Sequence, residues 1–257
     1  MCGKQLTLYR GEDRAPAWTP DGRAITFLSD RPIPPETTRR AGHFNLWEQP
    51  ADGTGEPRLL WRKDSPTDGF LSPDGQWIVL GAAGSPGSNA GADILAAHPG
   101  ADSVARRLVA SGFDEQGSAL SPDSRWLAYV SNEQGEPEVF VRPFPDVNGG
   151  KWQVSSGGGS APVWAHNGRE LFYAGGKNMY VVPIHPGPPF SADPPRILFA
   201  IPDRVRAGSL ARGTFAITPD DQRFLMVRDN SWEEMAGTRT VVVVENFFEE
   251  LRAKLKR

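Results

Sequence analysis

The chain holds four histidines, His43, His98, His166 and His185, and a single cysteine, Cys2. No two of them stand at a metal-ligand spacing. There is no Cys-x-x-Cys and no His-Glu-x-x-His, so a zinc centre has no donor set. The nearest approach to a nucleophile elbow, Ala83-Gly84-Ser85-Pro86-Gly87, lacks the strand–turn–helix context that would present its serine. Gly157-Gly158-Gly159 has neither the spacing nor the following helix of a phosphate cradle. Aspartates do recur, at Asp21, Asp74, Asp123 and Asp220, with Asn167 at a fifth matching place. Calcium would need several such carboxylates together; each of these belongs to a separate repeat, where a turn-forming side chain accounts for it. The expectation is a chain that is not itself an enzyme and carries no cofactor and no metal.

The elements that would position any site come from one repeated hairpin. Leu120-Ser121-Pro122-Asp123-Ser124-Arg125-Trp126-Leu127-Ala128-Tyr129-Val130-Ser131 reads as a strand end, a tight turn and a strand of period two. The pattern returns at Trp18–Ser29, Leu71–Leu80 and Ile217–Met226. A weaker copy, Trp164–Tyr173, has His166 for the proline and Asn167 for the aspartate. Positions 20, 73, 122, 166 and 219 are separated by 53, 49, 44 and 53 residues. β-rich repeats of roughly 40–50 residues mark propeller blades. Each period also supplies third and fourth strands, such as Glu138–Arg142 and Trp152–Ser155. The predicted fold is all-β: five visible four-stranded blades, near 14–61, 67–109, 116–155, 160–199 and 213–245, alone or as part of a six- or seven-bladed ring.

Composition agrees. The 257 residues include 28 Gly and 24 Pro, as many tight turns require, and 39% hydrophobic residues, enough for a core. A net charge of −3 gives no global field toward nucleic acid or anionic lipid. No apolar run reaches a membrane span and no leader pattern opens the sequence. Gln5–Tyr9 reads as an extra outer strand. Either it completes the three-stranded fifth blade, or the chain is a piece of a longer parent. Residues 246–257 read as a short amphipathic helix, with Asn246 and Glu249 at capping-box spacing and Phe247, Phe248, Leu251 and Leu255 on one face.

Binding residues are expected in the loops at one end of the blades, where sequence is free to vary on a fixed scaffold. These loops supply Asp13, Asp64, Asp68, Asp114 and Glu115 on an acidic side. Arg39, Arg40 and His43, from a long Pro-rich insertion, and Arg204, Arg206 and Arg212 are the basic candidates. Trp232 follows no repeat and is the aromatic candidate for a contact. Trp18 and Trp164 share one repeat position, and Trp77 and Trp126 another, which predicts packing between blades.

The repeated Trp/Leu-Ser/Thr-Pro-Asp-Gly-Arg turn and its alternating strand resemble the TolB-type, WD40-like propeller repeat. The run from Leu120 to Tyr173, with Glu138-Val139-Phe140-Val141-Arg142-Pro143-Phe144-Pro145 and Lys151-Trp152-Gln153-Val154-Ser155, is similar to the propeller that follows the catalytic domain in many bacterial serine/threonine protein kinases. The chain has no Gly-rich loop with its lysine, no His-Arg-Asp and no Asp-Phe-Gly. What the resemblance implies is a sensor or docking module for protein or peptide partners, outside the cytoplasmic membrane. The gating propeller of prolyl-oligopeptidase-type peptidases and a periplasmic TolB-like scaffold are the alternatives.

Overall fold

The computed structural model describes residues 6–35, 38, 42–63, 65–84, 91–185, 187–203, 205–206, 215–228 and 240–244. The chain divides into two compact units, 1–116 and 117–257. In the first, β1 (Asp13–Trp18), β2 (Ala24–Ser29), β3 (Asn45–Pro50) and β4 (Arg58–Trp61) form an antiparallel sheet in sequence order. A second sheet repeats the plan with β5 (Pro66–Leu71), β6 (Ile78–Ala82), β7 (Asp93–Ala97) and β8 (Arg106–Val109). Leu28, Leu46 and Trp61 of the first sheet pack on Ile78, Leu80, Leu95 and Ala97 of the second.

The second unit opens with β9 (Glu115–Leu120), whose first two residues precede its boundary, followed by β10 (Trp126–Gln134), β11 (Glu136–Pro143) and β12 (Trp152–Gln153). The next sheet is β13 (Ser160–Trp164), β14 (Glu170–Gly175) and β15 (Asn178–His185). A two-residue strand β16 (Ser191–Ala192) and β17 (Arg196–Ala200) both pair with β15. In the last sheet β18 (Val205–Arg206) and β19 (Phe215–Ile217) share one edge of β20 (Phe224–Arg228), and β21 (Thr240–Val244) takes the other.

Alternation along β14 shows why these strands read as nearly continuous apolar runs. Leu171 and Tyr173 enter a core with Ala128, Val130, Val139 and Val141 of the preceding sheet. Phe172 and Ala174 enter another with Phe215, Phe224 and Met226 of the following one. A strand covered on both faces needs apolar residues at every position. Truncating one such residue to alanine costs about 2–5 kcal/mol.

The turn that starts four of the five sheets is a polar lock. Thr19 Oγ1 donates to Asp21 Oδ1 (2.6 Å), Arg23 N donates to the same oxygen (3.1 Å), and Ala24 N donates to Thr19 Oγ1 (3.0 Å). Ser72–Asp74, Ser121–Asp123 and Thr218–Asp220 repeat the arrangement. The residue after the aspartate is left-handed: Gly22 (φ 68°), Gly75 (φ 70°), Ser124 (φ 56°) and Asp221 (φ 57°). A type I turn followed by a left-handed residue matches strand twist in a hairpin.

The fourth copy departs from the pattern. Ala165 replaces the hydroxyl residue, and only Asn167 Oδ1 is retained, accepting from Arg169 N (2.8 Å). Asp221 of the next turn compensates. Its carboxylate accepts from His166 N (2.9 Å) and Asn167 N (3.3 Å) and lies 2.7 Å from His166 Nδ1. The same charge is felt at half-buried Glu170, which burial and then Asp221 push above the usual carboxylate range against the pull of Arg196.

Two expectations change. Leu6–Tyr9 forms no strand; its backbone is held to the first sheet by a bond from Gln49 Nε2 to Leu6 O (2.7 Å). Trp164 is buried, 6% exposed, and donates through Nε1 to Ala119 O of the neighbouring sheet (3.2 Å), as expected, but its counterpart Trp18 is 63% exposed. Among the described residues of the first unit, no sheet covers that face. Trp126 meets Phe190, which precedes β16 of the following sheet, at 5.1 Å, while Trp77 stacks on His98 at 3.8 Å. The helix expected at 246–257 lies outside the described residues.

Ser121→Ala removes a buried hydroxyl with three partners and is expected to lower unfolding free energy by about 1–2 kcal/mol, read as a shifted urea midpoint with unchanged slope. Asp21 and Asp220 are held below the usual carboxylate range, chiefly by the Thr19 and Thr218 hydroxyls and then by backbone N–H groups. A depressed carboxylate contributes stability that is present above its unfolded pKa and lost as pH falls through its folded one. Asp21→Asn with Asp220→Asn is therefore expected to flatten the loss of stability between pH 5 and pH 2, measured by urea midpoints across that range.

Candidate functional site

In the first unit the loops before β1, β3, β5, β7 and β9 gather at one end of the two sheets, and Phe44 N donates to Ser65 Oγ across them (3.3 Å). The acidic residues expected there as a rim turn inward. Both carboxylate oxygens of Asp13 accept from Arg31 Nη2 (3.2 Å each). The Arg31 guanidinium also lies 5.0–5.3 Å from the ring centres of Phe27, Tyr9 and Trp47. Asp68 Oδ1 accepts from the Gly69 N–H (2.8 Å). Asp114 Oδ1 accepts from Ala92 N (3.0 Å), and Glu115, only 1% exposed, accepts from the Ser111 hydroxyl and backbone N–H. These carboxylates tie loops to the scaffold.

The second unit uses the same device. Glu138 is buried and accepts from Ser155 Oγ and from Gly158 N (2.9 Å), while Val139 N donates to Ser155 Oγ (2.7 Å). This explains the glycine run. Gly157 and Gly158 take φ of 77° and 100°, and a Cβ on Gly159 would stand 2.7 Å from Ser155 Oγ.

Among the residues exposed at the loop end of the first unit are His43, Arg14 and Phe113, the last 45% exposed. Arg14 lies 3.6 Å over the Phe44 ring and 3.7 Å from Glu12. Arg39, Arg40, Asp64, Arg204, Arg212, Trp232 and the side chain of Arg206 lie outside the described residues. His98 Nδ1 lies 2.9 Å from Gln76 O and His185 Nε2 2.8 Å from Asp193. Among the described residues no three His, Cys, Asp or Glu side chains converge on a point that could hold a metal ion.

Sequence reasoning missed one feature. A cavity of about 180 Å³ lies against the first sheet, lined by Leu6, Asp13, Pro16, Ile25, Phe27 and Gln49 among others. The available signal was Gln49, a polar residue two places after Trp47 and opposite Ile25.

These sheets define a class before any comparison: small antiparallel sheets, three of them four-stranded meanders in sequence order, stacked face to face on their neighbours within a unit. No protein-family model matches the chain, and no curated protein does. Solved structures do. TolB from Acinetobacter baumannii matches with a TM-score of 0.63 and 15% identity over 94% of this chain and 54% of its own. A putative TolB from Agrobacterium tumefaciens gives 0.62 and 14%, over 94% and 80%. A puromycin-hydrolyzing peptidase of Mycobacterium tuberculosis gives 0.56 and 13%, over 91% and 36%. The chain has the TolB-like β-propeller fold, and it spans about half the length of the Acinetobacter protein.

Glu138→Ala is expected to free the 155–159 loop: faster amide exchange at Gly158, and a loss of about 1–3 kcal/mol from the orphaned buried donors, measured by hydrogen exchange and denaturant unfolding.

Proposed function

We propose that the chain is a non-catalytic β-propeller module that binds protein or peptide partners through its loop ends, and that it is the propeller portion of a bacterial serine/threonine kinase or a stand-alone relative. The observation that carries the binding reading is the division of labour at the loop end of the first unit. Asp13, Asp114 and Glu115 anchor the loops, which leaves Phe113 and His43 displayed on a rigid base. An exposed aromatic beside polar groups on preorganised loops is what partner recognition uses, because little ordering entropy is lost on binding. The kinase association rests on the resemblance of Leu120–Tyr173. A second reading, the accessory propeller of a peptidase, is favoured by the match to about a third of the puromycin-hydrolyzing peptidase.

The whole chain, probed on a defined array of charged and aromatic peptides, is expected to retain a subset. Phe113→Ser with His43→Ala should weaken that subset at least fivefold without moving the melting temperature. An array with no peptide above background overturns the binding reading. The reading frame of the parent gene separates the two contexts: a kinase core in frame supports the first, a hydrolase core the second.

A further inference from the structure

The charges at the loop end of the first unit sort by depth. Asp30, 2% exposed, accepts from Glu12 N at 3.0 Å and so fixes the loop before β1. Asp13 is paired through both oxygens with Arg31. Asp68, Asp114 and Glu115 are taken by N–H and hydroxyl donors of the scaffold. The cations lie the other way. Arg10, Arg14, Arg62 and Lys63 are all exposed. Arg14 is held over Phe44 and stands 3.7 Å from Glu12, the one exposed carboxylate among the described residues of these loops. The side chains of Arg10, Arg62 and Lys63 have no ion pair or hydrogen bond with the described residues. The rim that the sequence made acidic is cationic at its surface.

Formal charge at this end nearly cancels, so its field at a distance is weak. Contact is different. An approaching carboxylate finds unpaired guanidinium and ammonium donors, whereas an approaching ammonium finds only Glu12, already beside Arg14. Phe113, 45% exposed, adds an apolar contact. Nucleic acid fits less well: one exposed aromatic ring is not a run of stacking faces, and the whole chain carries a net charge of −3.

We propose that the loop end of the first unit selects an acidic peptide bearing an apolar side chain, its carboxylates meeting Arg10, Arg62 and Lys63 and its apolar residue meeting Phe113. The assignment rests on the partner reading above and names the chemistry of that partner.

The test uses the full chain and matched sets of short peptides built around a leucine, with glutamate, glutamine or lysine as the flanking residues. Affinities are read by fluorescence anisotropy. The glutamate set is expected to bind about tenfold more tightly than the glutamine set, and the lysine set more weakly than either, with the preference shrinking as salt is raised. Arg62→Glu with Lys63→Glu should invert the order of the glutamate and lysine sets, with circular dichroism and melting temperature retained. Arg23→Glu with Arg125→Glu, the same change of net charge placed in hairpin turns, should leave the order as it is. Where the reversal costs the fold, Arg10→Gln with Lys63→Gln is the milder variant and should weaken the glutamate set about fivefold. Glutamine or lysine peptides binding as well as the glutamate set, or an unchanged order in a folded reversal variant, overturns the assignment and leaves the partner reading standing. Oligothymidylate that binds as tightly as the glutamate set, and is lost in the same variant, assigns the surface to nucleic acid and overturns it as well. No peptide of any set above background overturns both the assignment and the partner reading.

Discussion

The hydroxyl–carboxylate lock at the start of four of the five sheets is the constraint on which the rest depends. It fixes where the first strand stops and the second begins, and therefore the register between them. In a strand with apolar residues on both sides, hydrophobicity alone does not choose a register. In β10, whose turn carries the lock, a slip of one residue would exchange Ala128 and Val130, which face the following sheet, for Leu127 and Tyr129 on the opposite face. Both pairs are apolar enough to be buried, but they differ in shape. The turn supplies what the apolar pattern lacks, a local signal that points to one pairing.

That local character decides what was legible. Thr19–Asp21, Ser72–Asp74, Ser121–Asp123 and Thr218–Asp220 place donor, acceptor and left-handed residue within six positions, so the repeat and four sheet starts could be read directly. The fourth turn looked weak because its brace, Asp221, is more than fifty residues away. Asp221 stands where three of the other copies have glycine. Its left-handed backbone is costly for a residue with a Cβ, and the carboxylate it delivers to His166 and Asn167 is the compensation.

The candidate site was less legible for the same reason. Loop carboxylates were read as a rim because sequence shows their charge and hides their partners. Asp114 bonds to the Ala92 amide across a neighbouring loop, and Glu138 to the Gly158 amide twenty residues on. Nothing in composition distinguishes a carboxylate that anchors a backbone amide from one that awaits a ligand. Burial does: Glu115 and Glu138 are enclosed, and an enclosed carboxylate without donors would be too costly to keep.

The same accounting, applied across the molecule, isolates the groups that the scaffold does not explain. Ser72, Ser121, Ser155 and Glu138 are buried polar side chains with every role assigned. Gln49 is buried as deeply, yet only its nitrogen is used. Its face is also the one where the repeat departs from its own rule, since Trp18 stands exposed where Trp164 is covered and bonded. A repeat protein states at each copy what a position normally does. In the first unit the Trp18 position lacks the bonded partner its counterpart in the second unit has.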